Sequence, residues 1–115
     1  MKAADFRDVI EGHVARNQAL CKLLESKGAD LAVKRTIDLH FWTDGELAAH
    51  GLANVLRERG WSHVEINPTE DVSVWNVEAH IEASVLEVVD HGFVEAIARL
   101  AMDNQGQFDG WGTSV

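Results

Sequence analysis

Two stretches of alternating apolar and polar residues constrain this chain more than any other feature. In residues 34–42 (KRTIDLHFW), Ile37, Leu39 and Phe41 alternate with polar side chains, and residues 72–82 (VSVWNVEAHIE) repeat the pattern. A period of two predicts β-strands that bury one face and leave the other face in water. Since the apolar faces of such strands need helices to cover them, the chain is expected to be an α+β protein.

Helical patterns occupy most of the intervening sequence. Residues 3–27 and 44–59 repeat apolar side chains at steps of three and four, and Gly28 and Gly60 suit the ends of these helices. A third helix is predicted after Ser84. The residues expected to face inward are Phe6, Val9, Ile10, His13, Leu20 and Leu24 in the first helix, Leu47, Leu52, Val55 and Leu56 in the second, and Val85, Val89, Phe93, Ile97 and Leu100 in the third.

Two residue pairs have the spacing of a capping box. In this motif two residues at a helix start are joined reciprocally, since the side chain of each accepts a hydrogen bond from the backbone N–H of the other. Thr43 precedes Glu46 by three residues, and Ser84 precedes Glu87 by the same distance. Both pairs directly follow an alternating stretch. Each alternating stretch is therefore predicted to be a strand that leads at once into a helix.

Two shorter strands complete the predicted fold. They are expected at residues 61–66 (WSHVEI) and about 107–113, with a turn at 67–71 (NPTED). After the leading helix the order is β-α-β-β-α-β, which fits a ferredoxin-like sandwich with antiparallel strand order 4-1-3-2 and helices on one face. Because no linker or repeat interrupts this order, residues 1–115 are predicted to be a single domain.

The charge balance limits the kind of partner. Nineteen acidic residues against ten basic ones give a net charge of −9. Nucleic-acid binders need a basic footprint, so we expect no direct contact with RNA or DNA and, where a partner exists, a basic protein. Acidity that serves solubility alone is the alternative. No membrane span or signal peptide is recognisable, and the protein is expected to be cytoplasmic.

Titratable side chains are predicted to gather on the sheet face that the helices leave open. Asp38, His40 and Trp42 point away from the apolar face of the first strand, and Glu78 and His80 do the same on the third. Two imidazoles and two carboxylates on adjacent strands suit a metal or acid–base chemistry. The same pattern is also expected of any sheet with one wet face.

No enzyme signature accompanies these residues. The sequence has no G-x-S-x-G, no C-x-x-C and no phosphate-binding glycine pattern, so no catalytic residue and no cofactor are predicted. His63 and Glu65 lie on the neighbouring strand and are expected to point to opposite sides. The single cysteine, Cys21, is interpreted as a packing residue.

Four tryptophans are distributed one to each predicted strand, at Trp42, Trp61, Trp75 and Trp111. Large aromatic side chains of this kind serve either as packing in and around the core or as hot spots of an interface. Both interpretations stay open at this point.

The sequence closes on an aromatic, glycine-rich segment, FDGWGT. The pair Asp109-Gly110 is typical of a turn or a β-bulge, and Gly112 favours a second bend. Phe108 and Trp111 would then anchor a kinked edge strand, which either only stabilises the fold or also presents a fixed surface to a partner. The residues of this closing hexapeptide are Phe108, Asp109, Gly110, Trp111, Gly112 and Thr113.

The closing hexapeptide resembles the signature of the RraB family, the regulators of ribonuclease E activity. An aromatic residue followed by D-G-W, then G or E, then T, near the end of a small acidic α+β chain, is the specific part of the resemblance. The order of the other elements agrees over about the whole length. Family members often continue beyond this motif into an acidic tail, whereas this sequence ends at Val115.

The resemblance implies a bacterial, ferredoxin-like protein that is not an enzyme. It implies binding to ribonuclease E, whose non-catalytic half is rich in arginine, and inhibition of RNA cleavage by remodelling of the degradosome. Phe108 to Thr113 are then candidates for the partner surface. Two alternatives remain: a protein that binds another partner or itself as a homodimer, and a metal or small-molecule site on the open sheet face.

Overall fold

A four-stranded antiparallel sheet with helices packed on one face forms the architecture of the computed structural model, which describes residues 3–61, 63–71 and 73–113. The α+β class is confirmed. Within these residues the order of elements is α1 (Ala3–Ser26), β1 (Arg35–Thr43), α2 (Glu46–Glu58), β2 (His63–Pro68), β3 (Trp75–Ala83), α3 (Val85–Val89), α4 (His91–Asp103) and β4 (Gly106–Thr113).

The sheet has the order β2-β3-β1-β4, which is the predicted order of strands. The two central strands, β1 and β3, pair along their whole length, from Arg35 opposite Ala83 to Thr43 opposite Trp75. The strands β2 and β4 are the edges, and each pairs antiparallel with its central neighbour. This register places side chains from all four strands in rows across the sheet.

The hydrophobic core lies between the sheet and the helices. Ile37, Leu39 and Phe41 of β1 are buried, as the alternation predicts, and Val77 and Ala79 of β3 lie beside them. The helices cover this face with one connected set of buried side chains: Ile10 and Leu24 of α1; Ala49, Leu52, Ala53 and Leu56 of α2; Val85 and Val88 of α3; and Val94, Ile97, Ala98, Leu100 and Ala101 of α4.

The first helix joins the helical layer. It contacts α3 and α4, and the guanidinium of Arg99 in α4 lies 4.4 Å from the ring centroid of Phe6. The helix is followed by Gly28 at φ 81°, a left-handed conformation that glycine adopts without strain. Cys21 is half-buried and packs against the core, and this burial raises the pKa of its thiol.

The predicted capping box at Thr43 is wrong, whereas the one at Ser84 is confirmed. Thr43 is the buried last residue of β1, and its hydroxyl lies 3.2 Å from the carbonyl oxygens of Gly45 and Trp75. Helix α2 instead begins after Gly45 without a side-chain cap. Leu47, predicted to face inward, is 88 % exposed.

The third predicted helix is interrupted by a second cap. Asp90 has φ −55° and ψ 131°, which ends α3, and its carboxylate accepts a hydrogen bond of 3.1 Å from the Phe93 N–H at the start of α4. A helix of five residues and a second helix of 13 residues therefore replace one continuous helix over this segment.

Two strand boundaries also differ from the sequence prediction. Strand β2 runs two residues later than predicted, so that Trp61 lies ahead of it and packs against Phe93, while Pro68 ends the strand rather than forming a turn. Strand β3 begins at Trp75. Ser62 and Val72, which both fall in predicted strands, lie outside the described residues. The other three tryptophans lie on β1, β3 and β4.

Among the helices of the described residues, none combines the length and the apolar character that crossing a bilayer requires.

Two glycines give a matched test of this packing. A Cβ at Gly106 would lie 2.7 Å from the Trp42 carbonyl oxygen, whereas a Cβ at Gly51, in the exposed middle of α2, meets open space. We expect Gly106→Ala to lower the free energy of unfolding by about 1–3 kcal/mol. We expect Gly51→Ala to raise it by about 0.5–1 kcal/mol, since alanine favours the helix.

Urea unfolding followed by circular dichroism measures both changes. An unchanged or raised stability of Gly106→Ala would show that β4 does not begin in the close contact described.

Candidate functional site

The open face of the sheet brings the predicted polar residues together in rows. Asp38 of β1 lies opposite His80 of β3, and in the next row His40 lies opposite Glu78. Trp42 lies on the same face near the end of β1 and is 38 % exposed. All five candidates of this face therefore share one surface, which the helices do not cover.

Strand β2 extends these rows, and one sequence expectation about it is wrong. His63 and Glu65 were expected on opposite sides, but two residues apart on a strand place both side chains on the same side. Both are exposed, with His63 opposite His80 and Glu65 opposite Glu78. The open face thus carries three imidazoles.

His80 is the centre of the contacts on this face. Its Nδ1 lies 2.6 Å from Oδ1 of Asp38, and its Nε2 lies 3.6 Å from Oε2 of Glu65. The hydrogen bond to Asp38 raises the pKa of His80, although partial burial opposes the shift. A second imidazole, that of His40, lies 3.8 Å from Oε1 of Glu78.

The open face is acidic. The carboxylates of Asp38, Glu65, Glu78 and Glu82 lie on it, and Asp109 lines the same hollow as His40, Trp42 and Glu78. Among the strand residues that the structure describes, no lysine or arginine lies on this face. The guanidinium of Arg16 borders it from α1, beyond the β4 edge.

The closing hexapeptide forms most of β4 and contains the predicted bulge. Phe108 lies opposite Phe41 and Gly110 lies opposite His40, so that Asp109 is the extra residue between them. Gly110 has φ 128°, a conformation that side-chain-bearing residues rarely adopt. The bulge directs the Asp109 side chain toward His40 and Trp42 on the open face, while Phe108 lies in the core.

The aromatic residues of the hexapeptide are anchored by the first helix. Phe108 is 3 % exposed and lies between the rings of Phe41 and His13, at centroid distances of 5.3 and 4.9 Å. The indole Nε1 of Trp111 donates a hydrogen bond of 2.8 Å to Oδ1 of Asn17. These contacts give Phe108 and Trp111 a structural role in fixing the edge strand.

Asn17 was not among the residues predicted from the sequence, although a signal for it was present. Ile10, His13, Leu20 and Leu24 follow the inward stripe of the first helix, and Asn17 occupies the vacant step of that stripe. Asn17 is 8 % exposed. A polar residue at an inward position indicates a buried hydrogen-bond partner, because an unpaired amide in a core is costly. The partner is Trp111, 94 residues away.

The indole hydrogen bond can be tested with two tryptophans of different environment. We expect Trp111→Phe to lower the free energy of unfolding by about 1–3 kcal/mol, because it leaves the buried Asn17 oxygen without its donor. Trp42→Phe, on the exposed face, is expected to change it by less than about 0.5 kcal/mol. Chemical denaturation measures the free energy of unfolding of both variants. Equal effects would show that the hydrogen bond to Asn17 does not anchor β4.

His13 gives the packing beneath the hexapeptide a dependence on pH. Burial, and secondarily the nearby Arg16, lower the pKa of His13 below its ordinary value of 6.5, against smaller opposing effects of Phe108 and Asp109. The unfolded chain therefore takes up this proton first, and stability falls as the pH drops from 6.5 to the folded pKa.

Urea unfolding at about pH 7.5 and pH 5.5 measures this loss. The wild type is expected to lose more stability on acidification than His13→Gln, which has no titratable group at this site, while all other titratable groups are common to both. Equal losses in the two proteins would contradict the burial of a neutral imidazole.

Comparison with known proteins places the chain in a family. A search of curated proteins found no match. The family model RraB, described as regulator of ribonuclease activity B, matches residues 15–113. The match begins within α1, includes every strand of the sheet, and ends on the last residue of the closing hexapeptide. The chain therefore belongs to the RraB family of regulators of ribonuclease activity.

Proposed function

We propose that this protein binds ribonuclease E through the arginine-rich, non-catalytic part of that enzyme and inhibits its cleavage of RNA. Membership of a family of regulators of ribonuclease activity supports the class of function. The choice of surface rests on the open sheet face. Carboxylates and imidazoles lie together on it, and no lysine or arginine of the described strands shares that face.

The spacing of the carboxylates suits a cationic segment. Neighbouring strands lie about 4.8 Å apart and residues of one face about 6.7 Å apart along a strand. Neighbouring carboxylates of the face, Asp38 with Glu78 or Glu82 and Glu65 with Glu78, are therefore about 5–8 Å apart, which is within the Debye length of about 8 Å at physiological salt. Several arginines of one extended segment can then be attracted at the same time, and each guanidinium can bind a carboxylate through two hydrogen bonds.

Direct binding of RNA is not part of this proposal. Phosphates are repelled by the acidic face, and Trp42 is the one tryptophan or phenylalanine side chain that the described strands expose on it. The protein is proposed to act on the ribonuclease as a bacterial, cytoplasmic, non-enzymatic partner rather than as a competitor for RNA. Remodelling of the degradosome is the proposed route to inhibition.

The finer fold assignment belongs to the same proposal. We assign the chain to the ferredoxin-like sandwich with an extra N-terminal helix. The strand order β2-β3-β1-β4, with a helix between β1 and β2 and two helices between β3 and β4, supports this assignment.

Self-association through the sheet edges is the weaker alternative. Strand β4 is bent by the bulge at Asp109, and strand β2 is short and ends at Pro68, which has no N–H to donate. Both features disfavour the addition of another strand. The open face therefore explains partner binding better than the edges do.

Two triple variants with the same net charge test the proposed surface. One removes three charges of the open face, by Glu65→Gln, Glu78→Gln and Glu82→Gln. The other removes three exposed charges of the helices, by Glu25→Gln, Glu58→Gln and Asp103→Asn. We expect the first to weaken binding to the C-terminal half of ribonuclease E about tenfold, since three surface ion pairs contribute about 0.5 kcal/mol each.

The titration is made at low and moderate salt, with circular dichroism as a check on folding. The helix variant is expected to bind within about threefold of the wild type, and wild-type affinity is expected to fall with salt. If both variants weaken binding equally, the attraction depends on net charge alone and not on the open face. Absence of binding at low salt would reject ribonuclease E as the partner.

A further inference from the structure

We propose that Asp38, Glu78 and His80 form a binding site for a divalent transition metal of the zinc class at the centre of the open face. One ligand atom from each residue lies within 4.8 Å of the others. The residues come from the two central strands, where Asp38 is directly opposite His80 and Glu78 is two residues away on β3. This inference does not rest on the ribonuclease proposal, because it concerns the protein alone.

The distances are close to those of a coordinated ion. Zinc bonds to imidazole nitrogen and carboxylate oxygen are about 2.0–2.2 Å long, so two ligand atoms of a tetrahedral site lie about 3.4 Å apart. The 2.6 Å contact between Asp38 and His80 must open by less than about 1 Å. The widest separation in the cluster, at most 4.8 Å, must close by about 1.4 Å.

Small side-chain rotations supply these changes. The side chains of Asp38 and His80 are 37 % and 28 % exposed, and that of Glu78 is 28 % exposed. They are shielded by the sheet on one side and free to adjust on the other. Water has access to the remaining coordination position.

A carboxylate lies near the other nitrogen of His80, and a shift of about 0.5 Å would bring it within hydrogen-bond distance. When Nδ1 binds a metal, Nε2 carries the proton, and Glu65 Oε2 lies 3.6 Å from Nε2. A carboxylate behind a ligating histidine fixes the tautomer and the orientation of the ring. This arrangement distinguishes the cluster from a simple group of surface acids.

The ligand chemistry selects the metal class. Calcium and magnesium take oxygen ligands, whereas one imidazole and two carboxylates suit zinc and its neighbours in the first transition row. The two carboxylates also balance the charge of a divalent ion. Two helical pairs, His50 with Glu46 and His91 with Glu95, offer one imidazole and one carboxylate each, and no third ligand lies beside either pair among the described residues.

Calorimetric titration with zinc sulfate tests the site, with one helical pair as the control. We expect the wild type to bind one zinc ion, with an affinity that falls at least tenfold in Asp38→Asn and in His80→Gln. The variant His91→Gln removes an imidazole that lies 3.9 Å from Glu95, and it is expected to leave the affinity within about twofold. Circular dichroism verifies that each variant is folded.

A measurement on the wild type keeps the test independent of the variants. Imidazole ¹⁵N spectra are expected to show zinc shifting Nδ1 of His80, with Nε2 remaining protonated, before the rings of His50 and His91 respond. Zinc affinity unchanged in His80→Gln, or shifts that occur equally in all the histidine rings, would overturn the proposal.

Discussion

The pairing of β1 with both of its neighbours is the constraint on which the rest of the structure depends. Nine residues of β1 pair with β3, and the other side of the strand pairs with β4. Because side chains alternate along a strand, one register decides both the core and the open face. Leu39 lies in the core only if Asp38 and His40 lie in water, next to His80 and Glu78.

The edge strand β4 depends on a second constraint, its attachment to α1. A bulged, glycine-rich strand at a sheet edge has little stability of its own, since glycine loses much conformational freedom on folding. Phe108 beneath His13 and the indole of Trp111 bound to Asn17 hold it in place. The bulge then projects Asp109 beside the open face, so that the structural motif contributes one more carboxylate to the acidic surface.

Most of what the sequence predicted correctly depends on neighbours along the chain. The alternation in β1 assigned both faces of the sheet, and the cap at Ser84 depends only on Glu87 three residues away. Two of the failures occur where a distant residue decides. The hydroxyl of Thr43 was assigned to a helix cap, but it contacts a carbonyl oxygen 32 residues away. The hydrogen bond from Trp111 to Asn17 joins residues 94 positions apart, and no local sequence pattern predicts that pairing.

We propose that the open acidic face, and not the helical layer, binds the ribonuclease. Amide chemical-shift mapping of the ¹⁵N-labelled protein with the arginine-rich segment of ribonuclease E tests this most directly. We expect the largest shifts on β1, β2 and β3, around Asp38, His80 and Glu65. Shifts confined to α2 and α4, with these strands unchanged, would contradict it.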